Sequence, residues 1–104
     1  MRQLHQRINP SESFVPVLSF NLPWEYFVNK LHLSDPERGA DDLDDYEAVL
    51  LETGGQRFLL LRYARNPKDM VNVLIPSALV TSAQFVDRIL RELDVPGDAI
   101  TRHR

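Results

Sequence analysis

Gly54-Gly55 divides the stretch YEAVLLETGGQRFLLLRY, residues 46–63, into two apolar runs. Paired glycines readily adopt the positive φ that a two-residue type I′ hairpin turn needs at both central positions. Such a turn sets the register of everything flanking it. Counting outward, Thr53 faces Gln56, Glu52 faces Arg57, Leu51 faces Phe58 and Leu50 faces Leu59. Val49 then faces Leu60, Ala48 Leu61, Glu47 Arg62 and Tyr46 Tyr63. Glu52 with Arg57 and Glu47 with Arg62 join opposite charges, which supports the alignment independently of the turn.

Side chains alternate across a strand, so one face of this hairpin carries Tyr46, Ala48, Leu50, Leu59, Leu61 and Tyr63. The other carries Val49, Leu51, Phe58 and Leu60, with Glu47 and Arg62 at the far end. A hairpin with one wet side alternates apolar and polar residues, and this one does not. Both faces therefore need a cover. The first set is larger and more continuous, so the helices of the chain are expected there. That leaves Val49, Leu51, Phe58 and Leu60 as an outer patch, each side chain worth about 1.5–3 kcal/mol on burial. A patch of this kind implies a homodimer or another protein docked on it. One helix on each side of the sheet is the alternative cover.

In chain order, residues 1–13 are polar with no sustained period and read as a flexible or loosely docked N-terminal arm, with Leu4 and Ile8 able to lie against the body. FVPVLSF, residues 14–20, has strand composition, but Pro16 cannot donate to a ladder, which places it at a sheet edge or in partial pairing. Pro23 opens a helix in which Trp24, Phe27, Val28 and Leu31 share one face. Ser34-Asp35-Pro36 ends it, and SDPERGADDLDD follows as a loop. After the hairpin and an Asn66-Pro67 turn, Val71, Val73 and Ile75 alternate with Met70, Asn72 and Leu74 in a further strand that Pro76 stops. Thr81-x-x-Gln84 resembles a capping box, and Phe85, Val86, Ile89, Leu90 and Leu93 form the stripe of a second helix. A last extended segment falls around Ile100. The fold class is thus α+β, an antiparallel sheet of three to four strands in the order β-α-β-β-β-α, with two helices packed mainly on one face. Residues 14–104 form a single domain, which suits a chain of 104 residues.

Charge is spread unevenly. Residues 35–47 hold seven acids and one base, while the remainder holds eleven bases and eight acids, giving −3 in all. Absence of cysteine removes disulfides and thiolate chemistry, and no apolar run approaches the length of a membrane span. The expected location is cytoplasmic, with no membrane partner.

Motifs that carry chemistry are scarce. Asp41, Asp42, Asp44 and Asp45 cluster, but not with EF-hand spacing, and read as a solvated loop able to dock on a basic partner. His5, His32 and His103 show no i, i+4 spacing, and no G-x-S-x-G or phosphate-binding glycine motif occurs. Asp87 with Arg91 and Arg88 with Glu92 are spaced for ordinary helix-surface pairs. Trp24, Tyr26 and Phe27 read as core. The order helix, three strands, helix is shared with double-stranded RNA-binding domains, yet the second helix begins TSAQFVDR where those carry a lysine cluster. With an acidic total as well, no nucleic-acid partner is expected.

No catalytic residue, metal or cofactor is implied. The expected function is a small, soluble, non-enzymatic protein-interaction or regulatory module, homodimeric through an apolar sheet face. The alternative is a small-molecule-binding protein or enzyme with a pocket between the first helix and the sheet, using Arg62, His32 or Asp45.

Overall fold

The computed structural model describes residues 1–9, 11–40, 44–65 and 70–103. Over these residues the chain forms seven strands, β1 (Arg2–Leu4), β2 (Phe14–Phe20), β3 (Glu37–Ala40), β4 (Asp45–Thr53), β5 (Gln56–Tyr63), β6 (Val71–Pro76) and β7 (Ile100–Arg102). Two α-helices, α1 (Trp24–Leu31) and α2 (Ala83–Leu93), complete the framework. All pairings are antiparallel, in the order β1-β4-β5-β6-β2-β7, and β3 shares the outer edge of β4 with β1. The class is α+β as expected, but seven strands replace three to four, and the order gains β1, β3 and β7. Both β1 and β3 are short and polar, held by the open edge of a long neighbour, so neither leaves an apolar period to read.

The hairpin pairs in the register counted from its turn, from Tyr46 with Tyr63 to Thr53 with Gln56. Gly54 and Gly55 have φ of 58° and 78°, in the left-handed region where a side chain is disfavoured. Around this ribbon β6 continues the meander, and β2 returns beside β6. Pro16 lies opposite Leu74 and adjoins a bulge, while β7 pairs β2 only from Leu18 to Phe20. The proline therefore sits where β2 has a neighbour on one side only, although the strand as a whole is inside the sheet rather than at its edge.

The side assigned to the helices is reversed. Val49, Leu51, Phe58 and Leu60 are 2, 0, 0 and 0 % exposed and pack with Trp24 and Phe27 of α1 and Phe85, Ile89 and Leu93 of α2. They are core, and side chains so enclosed within one chain offer no surface to a second copy or another protein. The reason lies outside the hairpin. In register with this face, β6 adds Val71, Val73 and Ile75, and β2 adds Leu18 and Phe20, all fully buried. The opposite face receives Ser19, Asn72 and Leu74 instead. Across the full sheet, the helix-bearing side is the more apolar one.

That opposite face is covered too, and by the first residues of the chain. Of the segment 1–13, expected as a flexible or loosely docked arm, residues 1–9 begin with β1 on the edge of β4 and residues 11–13 lead past β5 to the start of β2 on β6. Leu4 joins Leu50 and Leu59 in a second cluster, against which Ile8, Phe14 and Leu74 pack. Polar contacts pin this strap: the Ile8 N–H donates to Glu37 Oε1 at 3.0 Å, and Arg57 Nη2 meets Glu12 Oε1 at 2.7 Å. Gln3 donates to the Ser34 carbonyl at 2.7 Å and accepts from the Ser34 N–H at 2.9 Å.

Both helices stop on a left-handed residue rather than at the following proline. His32, φ 54°, closes α1, and Asp94, φ 50°, closes α2. Ser82, one residue later than the expected capping box, accepts the Phe85 N–H and starts α2. The i, i+4 pairs expected on α2 do not form; Asp87 meets Arg102 at 3.7 Å and Glu92 accepts from the Thr53 hydroxyl. Among the described residues, no helix is long and apolar enough to cross a membrane.

Candidate functional site

Beyond the Trp24 end of α1, no described residue covers the helix-bearing side of the sheet over the ends of β3, β4 and β5. Here an open cleft of about 600 Å3 is lined by Arg38, Gly39, Ala40, Asp45, Tyr46, Glu47, Arg62 and Ala64. It exceeds a cleft of about 400 Å3 beneath the strap and a groove of about 500 Å3 along α2. Its size falls within the range of small-molecule sites, roughly 300–1,000 Å3.

The floor consists of two cross-strand rows. In the inner row Arg38, Glu47 and Arg62 stand side by side on β3, β4 and β5. Glu47 Oε1 accepts from Arg62 Nη2 at 2.8 Å, and its Oε2 lies 3.8 Å from Arg38 Nε. Arg62 is held from a second direction, its guanidinium carbon 5.2 Å from the centroid of the Trp24 ring. Trp24 is buried in the first turn of α1, so the helix itself fixes one arginine of the site. Arg38 has no such support and its side chain is 83 % exposed.

The outer row is Ala40, Asp45 and a continuation of the ladder at Ala64, whose N–H donates to the Asp45 carbonyl at 2.9 Å. Small side chains on both sides of Asp45 create the concavity. Among the described residues the exposed Asp45 carboxylate has no ion pair or hydrogen-bond partner. Gly39 serves the opposite side of β3, where a Cβ would lie 2.6 Å from the Tyr46 ring and hydroxyl. Only a glycine lets Tyr46 lie across that strand; Tyr46 in turn meets Tyr63 edge-on at 6.3 Å.

The acidic loop expected to dock on a basic partner divides. Asp41 and Asp42 lie outside the described residues. Asp44 turns inward, accepting the Arg65 and Asp45 N–H groups and pairing with the Arg65 guanidinium at 3.6 Å. Asp45 alone of the described pair faces the cleft. Arg62 and Asp45, named for a pocket near α1, do come together there, whereas His32 caps the other end of that helix and does not line it. Arg38, Ala40 and Ala64 escaped sequence reasoning. The signal for Ala64 was its place one step beyond Tyr63 in a register already counted, but Arg38 and Ala40 needed β3 to be recognised as a strand.

Ser19, His103 and Asn72 make a second polar group on the strap-covered side. Ser19 Oγ lies 2.6 Å from His103 Nε2 and donates to Asn72 Oδ1 at 2.8 Å. A hydroxyl has one proton, and with it directed to Asn72 the serine oxygen is left as an acceptor toward a protonated His103 Nε2. The arrangement ties the end of β7 to β2. Trp24 and Phe27 are core, and no group of three or more metal-ligating side chains converges among the described residues.

The chain matches no protein-family profile, no curated protein and no solved structure.

Proposed function

We propose that this protein is a small-molecule-binding protein whose ligand occupies the cleft over β3, β4 and β5. The observation that carries this reading is Asp45: a carboxylate unpaired among the described residues, between two alanines, inside a concavity of ligand size, next to an arginine already steadied by a buried tryptophan. Surface acids are ordinarily surrounded by water on an open or convex face. A carboxylate set into a hollow lined by small apolar side chains instead gives orientation to whatever fills that hollow. The homodimer reading loses its physical basis, because the apolar patch it required lies beneath the helices.

Amide chemical-shift mapping against a library of small polar compounds tests the proposal. Compounds that bind should perturb Arg38, Asp45, Glu47, Arg62 and Ala64 together, and Ala64→Phe, which fills the cleft at an exposed position, should abolish the response. Perturbations scattered elsewhere, or undiminished in Ala64→Phe, would remove the cleft from consideration.

A further inference from the structure

We infer that the ligand of this cleft is a zwitterion of the amino-acid type, bearing an ammonium and a carboxylate separated by a few bonds. The inference rests on the cleft being a binding site and adds the chemistry it selects. Its two floor rows differ in sign. Arg38, Glu47 and Arg62 sum to +1, whereas Ala40, Asp45 and Ala64 sum to −1. Adjacent same-face rows lie two residues apart along a strand, about 7 Å. A dipolar floor with that spacing suits a ligand whose own charges run the other way.

Each half of the match has its chemistry. Glu47 engages one nitrogen of Arg62 at 2.8 Å and approaches one of Arg38 at 3.8 Å, which leaves most of the guanidinium donors unspent. A ligand carboxylate can take a two-bond fork from such a group, and Arg38, exposed and weakly held, is free to swing onto it. Arg62, between Glu47 and Trp24, stays in place and sets the position of the positive row. An ammonium then falls beside Asp45, a carboxylate that no cation among the described residues pairs with, since both arginines of the cleft turn to Glu47. A simple cation would answer Asp45 but face the excess charge of the arginines; a simple anion would answer the arginines but face Asp45. Only a ligand with both charges satisfies both rows. About 600 Å3 also leaves room for a side chain against Ala40 and Ala64.

Calorimetric titration of the whole chain at neutral pH with the twenty common amino acids, β-alanine and γ-aminobutyrate tests this. The tightest is then compared with its methyl ester, which keeps only the ammonium, and its N-acetyl form, which keeps only the carboxylate. The zwitterion should bind at least about tenfold more tightly than either, a difference of about 1.4 kcal/mol. Asp45→Asn should erase its advantage over the N-acetyl form, and Arg38→Gln its advantage over the ester, with circular dichroism unchanged in both. An ester or N-acetyl form that binds as well as the parent overturns the zwitterion and leaves a cation or anion cleft standing. If no amino acid binds while other compounds still map to the cleft, the inference fails alone. If nothing maps there, the binding-protein reading fails with it.

Discussion

Among the described residues, fifteen buried side chains interlock between α1, α2 and one side of the sheet, whereas on the other side Leu4, Leu50 and Leu59 are closed over by an extended strap with no helix in it. The same ribbon, β4 with β5, supplies both sides. A helix covers a sheet with a regular stripe, so α2 buries Phe85, Ile89 and Leu93 in a single element. The strap covers with Leu4 and Ile8 and is held down by separate polar contacts at Gln3, Ile8 and Glu12. Burial dominates the first side and pinning the second. The helix side should therefore open only on global unfolding, and the strap at a lower free energy.

Substitutions can break or sharpen this contrast. The largest effect is expected at Phe58, fully buried and edge-on to Phe85 at 6.3 Å. Phe58→Ala should lose about 3–5 kcal/mol in urea denaturation, and Phe58→Glu should show no cooperative transition by circular dichroism. A Phe58→Glu variant that stayed folded and changed only its state of association would return Phe58 to the outside of the protein. On the strap side, Leu50→Ala should cost about 2 kcal/mol, the low end for a buried leucine, because a segment without a helix can settle into the vacated space. Equal losses at Phe58 and Leu50 would erase the distinction between the two covers.

Smaller changes probe the turn and the pins. Gly54→Ala places a Cβ at φ 58°, 2.6 Å from the Arg88 guanidinium, and should lower stability by about 1–2 kcal/mol in a thermal melt. Because Arg88 is flexible, the left-handed backbone and not the clash should account for most of that loss, so Arg88→Ala should not rescue it. Glu12→Gln removes the partly exposed pair with Arg57 and should cost under 1 kcal/mol, about nil in 1 M salt. Its clearer signature is faster amide exchange at Ile8 with little change at Val73. Uniform acceleration across both would mean that strap and core open together.

What could be read from the sequence followed the range of each signal. Gly54-Gly55 acts on its immediate neighbours, and the eight-pair register counted from it is the one observed. The alternation Val71, Val73, Ile75 and the stripe Phe85, Ile89, Leu93 likewise depend on residues close in sequence, and all six side chains are buried. Which side the helices take depends instead on the sum over β4, β5, β6 and β2, and a count confined to the hairpin points the wrong way. Strand β3 carries Glu37-Arg38-Gly39-Ala40, with no apolar alternation, and exists because β4 offers it an edge. As four of the six residues of the cleft floor stand on β3 or opposite it, the pairing of Arg38 and Ala40 with Glu47 and Asp45 was hidden for the same reason.

Strand β1 pairs Arg2 with Glu52 and Leu4 with Leu50, partners almost half the chain away. On a ribosome, β1 is made before β4 and β5 and must wait for its docking site until they have emerged and zipped, and contacts so distant in sequence form slowly. Until then Leu50 and Leu59 lie bare on a nascent sheet, making the interval before the strap closes the stage at which this protein is most prone to stick to its neighbours.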